Sequence, residues 1–258
     1  MTTFDVAGHA FERAEQPGFG LVIVPVQGAT LPLPLDHLDE LLLAPGNRAQ
    51  FYEQVDHYGF VLCRKVHSQH PTYRVVRGRS SPGKLSPGEY FHHDGCAGPT
   101  KPRVVEIRFP FQDTPRRVAT ALAPFPDVVQ TMFTCLPATV AVRPEFDPWH
   151  EHLAGVCETS YVQWQRVQAL VMRAVRRCFS ASEAREYLRT VDRVSGAYVH
   201  RWRAGDSLFI ANENRVRTLQ HRRAYPSPAF DGQENGNLIK RWPAEELAGI
   251  ALPGEIEP

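Results

Sequence analysis

The longest helical period of the chain, Val162 to Phe179, lies between groups of short β-rich runs, and this limits the fold more than any other feature. Val167, Leu170, Val171, Ala174, Val175 and Cys178 fall on one face of that helix, while Arg166, Arg173, Arg176 and Arg177 fall mostly elsewhere. Upstream are FGLVIVPV (19–26), YGFVLCRKV (58–66) and the run from Val104, VVEIRFPF. Downstream are AYVHRW (197–202), SLFIAN (207–212) and LIKRW (238–242). Each is an apolar, β-branched or aromatic run bounded by turn-forming residues, which is how strands read. Strands and helices do not alternate regularly, so a doubly wound parallel sheet is excluded. The expected class is α+β and mainly antiparallel.

Shorter helices are expected over Leu35 to Leu43, over Arg48 to His57 after Asn47 as N-cap, and over Asp127 to Phe133. Ser180-x-x-Glu183 is a capping box that opens a further helix at 181–188. A Gly205-Asp206 turn between 197–202 and 207–212 predicts a hairpin. There is no internal repeat and no low-complexity tract, and 258 residues fit one domain spanning 1–258, with a helical insert at about 150–190.

Composition narrows the partners. With 29 basic and 28 acidic residues the formal charge is +1, which gives no electrostatic reason to bind nucleic acid or an anionic membrane. No apolar run is long enough to span a bilayer, and the first twenty residues lack the cationic and apolar regions of a secretory signal. Cys63, Cys96, Cys135, Cys157 and Cys178 are odd in number and never spaced as CxxC. A structural zinc site or disulfide scaffold is therefore not expected, and a reducing cytoplasm is the simplest location. Cys63 and Cys178 lie in apolar segments and read as small core residues.

The segment most suggestive of chemistry is Glu89-Tyr-Phe-His-His-Asp-Gly-Cys96. On extended backbone the side chains of His92 and Asp94 share a face, and that of His93 points away. An imidazole and a carboxylate on one face, joined by a distant histidine, would make a 2-His-1-carboxylate triad, which leaves positions open on iron(II). His150-Glu-His152 is a rival pair, but Pro148, Trp149 and polar surroundings read as a loop.

The second half of the motif lies in GDSLFIANENRVRTLQHRRAY (205–225). An HxD strand followed much later by Trp202-x-x-Gly205-Asp206, an apolar strand, Asn212, His221 and then a basic strand resembles the iron(II)/2-oxoglutarate oxygenases. The similarity is to their taurine dioxygenase, clavaminate synthase and carbapenem synthase branch. PGFG (17–20) and YGFVLCRKV (58–66) also match that family's opening, so the resemblance covers most of the chain.

The resemblance implies a double-stranded β-helix (jelly-roll) core with flanking helices and an Fe(II) centre held by His92, Asp94 and His221. It also implies 2-oxoglutarate and O2 as co-substrates and a small-molecule substrate oxidised at a C–H bond. By the same resemblance Thr120 would bond 2-oxoglutarate, and a basic residue of the closing strand, Lys240 or Arg241, would anchor it, with Lys240 preferred. The family's arginine is not cleanly present there, and the spacing from Asn212 to His221 is longer than usual. A carboxylate retained at Asp94 argues against halogenation, which needs that position for halide. The substrate implied is small, polar and amino-acid-like, from specialised metabolism.

Overall fold

A computed structural model describes residues 2–6, 9–16, 19–26, 33–34, 55–64, 66–67, 74–76, 85, 87–94, 104–108, 119–153, 161–203, 206–212, 219–224 and 237–242. The strands are β1 (Thr2–Val6), β2 (His9–Glu15), β3 (Leu21–Pro25), β4 (Leu33–Pro34), β5 (Phe60–Cys63), β6 (Val66–His67) and β7 (Arg74–Val76). They continue with β8 (Val104–Arg108), β9 (Ala119–Pro124), β10 (Tyr198–Arg201), β11 (Ser207–Ala211), β12 (Leu219–Ala224) and β13 (Asn237–Trp242). The helices are α1 (Phe125–Thr134), α2 (Ala138–Ala141), α3 (His150–Leu153), α4 (Tyr161–Cys178) and α5 (Ala181–Val194), with 3-10 turns at Pro87–Glu89 and Pro144–Trp149.

Two sheets carry most of the architecture. The larger has the order β1-β2-β3-β5-β11-β8-β13-β7, and the smaller has β10-β9-β12. Pairing in these sheets is antiparallel except between β3 and β5. From β8 onward the chain passes between the sheets: β8 is in the large one, β9 and β10 in the small one, then β11 large, β12 small and β13 large. The fold is mixed and mainly antiparallel with flanking helices, in line with the sequence.

Each sheet follows the two-residue alternation of strands. Phe60, Leu62, Val105, Ile107, Leu208 and Ile210 of the large sheet pack with Leu122, Leu219 and Trp202 in one apolar cluster between the sheets. The other face of the small sheet presents Ala119, Ala121, Ala123 and Ala224 to Val128, Val167 and Leu188 of the helices. Alanine suits that face because small side chains let helices lie close on the sheet. The order of layers is therefore large sheet, apolar interior, small sheet, helices.

Several boundaries differ from those expected. The strand over 58–66 is shorter, because residues 55–58 form a helical turn that ends at Gly59 (φ 81°). The left-handed φ at Gly59 favours glycine. Gly20 (φ 103°) is more constrained still, since a Cβ there would lie 2.2 Å from the Phe60 ring. The helix expected at 181–188 runs on to Val194, because Tyr187, Leu188 and Val191 continue its buried stripe. Ser180 does cap it: Glu183 N–H donates to the Ser180 hydroxyl, and Ser180 N–H donates to the Glu183 carboxylate.

The expected hairpin is not one. β10 pairs with β9, whereas β11 pairs with β5 and β8. The chain passes from one sheet to the other between them, and Asp206, just before β11, accepts the Arg203 N–H at 3.0 Å. Both strands alternate as hairpin strands do, but their apolar faces meet across the interior instead of side by side. His150 and His152 stand on short helical turns, not a loop. The helix expected over 35–43 and most of that over 48–57 lie outside the described residues. Among the described residues no helix is long and apolar enough to cross a membrane.

Candidate metal centre

Three elements converge at one end of the small sheet. The 3-10 turn Pro87–Glu89 delivers the chain to His92, which bridges His221 of β12 in antiparallel fashion. His92 N–H donates to the His221 carbonyl at 3.0 Å, and His221 N–H donates back at 3.2 Å. The segment 90–94 thus borders β12 on the edge away from β9. Asn212, just past β11, supplies the third contact. Its amide oxygen accepts the Asp94 N–H at 2.8 Å, and its amide nitrogen donates to the Asp94 carbonyl at 3.0 Å.

These contacts bring together His92, Asp94 and His221. One ligand atom from each lies within 4.8 Å of the others, and this is the one such group of His, Cys, Asp and Glu found among the described residues. His92 Nε2 is 3.7 Å from Asp94 Oδ1, and His221 Nε2 is 4.0 Å from Asp94 Oδ2. Those separations exceed hydrogen-bond length. Ligands on one side of an ion, each roughly 2.0–2.2 Å from it, lie about 3 Å apart, so the three side chains would close in somewhat to hold one.

The tautomer of His92 suits the same role. Its Nδ1 lies 2.7 Å from the Tyr90 carbonyl, which can only accept, so Nδ1 carries the proton and Nε2 presents its lone pair. The side chains of Asp94 and His221 are nearly enclosed, at 11% and 6% exposure, while that of His92 is 32% exposed. Two imidazoles and one carboxylate on one side of an ion leave the other positions for exogenous ligands. The donor set fits a divalent metal such as iron(II).

His93 faces the other way. It is buried, its ring packs edge-on against Phe125 at 5.1 Å, and its Nδ1 lies 3.3 Å from the Gln220 amide nitrogen. Gln220 in turn exchanges hydrogen bonds of 2.5 and 2.9 Å with Gln168 of α4. Arg222 is also on the helix side of β12, where it chelates Asp192 of α5 through Nε at 2.8 Å and through Nη2. Glu89 receives Arg185 Nε of α5 at 2.8 Å. The helices therefore grip both ligand-bearing segments from outside.

The co-substrate residues expected from the sequence fall as follows. Thr120 is buried in β9, opposite Arg223 of β12 and His200 of β10, and its hydroxyl accepts the Trp202 indole N–H at 2.9 Å. It is therefore not a surface threonine. In β13, Lys240 pairs with Glu106 and Arg241 with Val105. His150 lies 3.9 Å from Asp147, and Trp149 and His152 rings are 5.8 Å apart.

Arg222 and Arg223, next to His221, are not among the site residues expected from the sequence. The period-two rule that separates His92 from His93 also separates them, and it puts Arg223 in register with Thr120. Asn212 was visible as a motif member, but its grip on the Asp94 backbone was not.

No protein-family model matches the chain, and no curated protein matches it. Solved structures similar to it include a taurine dioxygenase from Burkholderia xenovorans, at 14% identity over 90% of this chain and 90% of that chain, with a TM-score of 0.46. PvcB, an Fe, alpha-ketoglutarate dependent oxygenase from an isonitrile synthetic pathway, has 13% identity over 91% of each chain and a TM-score of 0.45. AAD-2 in complex with Mn(II) and N-oxalylglycine has 15% identity over 90% of this chain and 97% of that chain, with a TM-score of 0.44.

Proposed function

We propose that this chain is an iron(II)- and 2-oxoglutarate-dependent dioxygenase, built as one domain around a double-stranded β-helix. It would oxidise a C–H bond of a small, polar, amino-acid-like substrate of specialised metabolism. The observation that carries the reading is the convergence of His92, Asp94 and His221 from an HxD segment and a strand more than 120 residues later. Bound iron(II) would supply dioxygen activation coupled to oxidative decarboxylation of 2-oxoglutarate.

The protein supplies geometry and enclosure. His92 and His221 offer neutral nitrogen donors, Asp94 offers the charge, and Asn212 holds the Asp94 backbone in place. The apolar cluster around Phe60, Leu122 and Leu208 excludes water beside them. Thr120 is assigned to the co-substrate carboxylate. Of the two closing-strand candidates, the register supports Arg241 over Lys240. Arg241 is level with Val105, a member of the inter-sheet cluster, whereas Lys240 is level with Glu106 on the alternate set of positions. Arg also matches a carboxylate with two donors, where Lys offers a point charge. Arg223 is a second candidate, because it is directly opposite Thr120 and on the same alternation as His221.

The test is succinate formation and O2 consumption by the full chain with Fe(II) and 2-oxoglutarate. Both should require metal and co-substrate and vanish in His92→Ala, Asp94→Ala and His221→Ala. O2 consumption without succinate would identify an iron oxygenase that does not use 2-oxoglutarate. Absence of both, with metal bound, would leave a ligand-binding barrel. Separate Arg241→Ala, Lys240→Ala and Arg223→Ala proteins then locate the anchor. Loss of a charge-assisted contact of about 1.5–3 kcal/mol raises the 2-oxoglutarate requirement about tenfold or more.

A further inference from the structure

We propose that Trp202 is a positioning residue for the co-substrate, orienting the Thr120 hydroxyl so that its hydrogen is offered to a carboxylate in the inter-sheet interior. The inference rests on the 2-oxoglutarate reading above. It starts from one hydrogen bond, Trp202 Nε1–H to Thr120 Oγ1 at 2.9 Å, between two residues that are each 5% exposed. An indole nitrogen can only donate, and a threonine hydroxyl has one hydrogen and two lone pairs. Once the oxygen accepts from Trp202, that hydrogen must go to a separate acceptor. A carboxylate is an acceptor-only group and can take that hydrogen.

Position supports the assignment. Leu122 of β9 is opposite His221, and Thr120 is two residues along on the same face. Diagonal neighbours on an antiparallel pair are about 7–8 Å apart. An acid that is held at the metal by one end and extends into the interior therefore meets Thr120.

Trp202 is itself held firmly. Its ring meets the His200 ring edge to face at 4.7 Å, and His200 Nε2 is 3.0 Å from Asp206 Oδ2, with both side chains 1% exposed. Asp206 also accepts the N–H of Arg203, the residue after Trp202. Asp206 thus holds His200, His200 sets the indole, and the indole sets the hydroxyl. A rigid donor loses less entropy on binding than a rotating one.

The experiment is calorimetric titration of the Zn(II)-loaded full chain with 2-oxoglutarate, in wild type, Thr120→Val, Thr120→Ser, Trp202→Phe and the Thr120→Val/Trp202→Phe double variant. Thr120→Val and Trp202→Phe should each weaken binding about tenfold, the double variant should be no weaker than Thr120→Val, and Thr120→Ser should stay near wild type. Zn(II) affinity should not change. If Trp202→Phe weakens binding equally with and without the Thr120 hydroxyl, or does not weaken it at all, the positioning role is overturned while the co-substrate reading stands. No binding of 2-oxoglutarate by Zn(II)-loaded wild type would overturn both. If Trp202→Phe does not fold, indole 15N–1H spectra of the wild type decide. The one of four tryptophan signals that moves in Thr120→Val should also move when 2-oxoglutarate saturates the Zn(II) protein. A stationary signal at saturation overturns the inference.

Discussion

The two faces of the small sheet use one backbone for opposite purposes. On the interior face, β12 presents His221 and Arg223 beside Leu122 and Thr120, a mixture of ligand, charge and hydroxyl in an apolar setting. On the helix face the same strand presents Gln220 and Arg222 among alanines, and each is tied to a helix, Gln220 to Gln168 and Arg222 to Asp192. Residues one apart thus divide into chemistry and scaffolding. Rigid partners on the outer face fix the strand from which the inner face works.

The largest effect should come from breaking the scaffold. Arg222→Ala leaves Asp192 buried without its guanidinium partner. Loss of one member of a buried pair costs about 3–5 kcal/mol. Urea denaturation of the metal-free protein should show a loss of that order, with a far smaller one in His221→Ala, which loses the metal instead. Equal losses in the two variants would mean that the faces are not divided as described.

Asn212→Ala acts on the interior side, at the ligand segment itself. It removes both bonds to the Asp94 backbone without touching a ligand atom. Such outer partners are worth about 10–100-fold in metal affinity. Competition titration with a chelator should find a loss in that range, whereas His93→Ala, on the helix face, should bind metal within about tenfold of wild type. If His93→Ala empties the site and His92→Ala does not, the assignment of faces is reversed.

Much of this division is legible in the sequence, because parity along an extended chain is a local property. His92-x-Asp94 reads as one face before any fold is known, and the alternate position of His93 follows from it. What local parity cannot supply is the partner strand. The 197–212 segment looks like a hairpin because alternation and a Gly-Asp turn satisfy the hairpin signature, yet each strand finds its partners in a different sheet. The same limit hid the Asn212 clamp and the Arg222–Asp192 pair, which join residues 118 and 30 positions apart. It also led the sequence to prefer Lys240 to Arg241, the reverse of what the register supports, since two neighbours on one strand are separated only by knowing what lies across from them.

The smallest effect tests whether the outer scaffold can be loosened without disturbing the inner face. α5 carries Asp192 near its end and begins at the Ser180 capping box, where the Ser180 hydroxyl accepts the Glu183 N–H and also donates to the Glu183 carboxylate. The hydroxyl bond to the carboxylate, and after it the Ser180 N–H bond to the same group, favour the ionised form and hold the Glu183 pKa below its ordinary value. A depressed folded-state pKa contributes stability that is present above the ordinary glutamate pKa and lost as pH falls through the folded value. Ser180→Ala should lower Tm by about 2–4 °C at neutral pH, as expected for loss of one N-cap. The gap from wild type should narrow in acid, below the ordinary glutamate range, where Glu183 takes up its proton. Metal affinity should stay at the wild-type value at neutral pH, because the cap bonds lie within the first turn of α5, while its Arg185 and Asp192 contacts to the ligand-bearing segments lie beyond that turn. A parallel fall in metal affinity would show that α5 transmits its own stability to the ligand strand, and that the two faces are coupled more tightly than their separate partners imply.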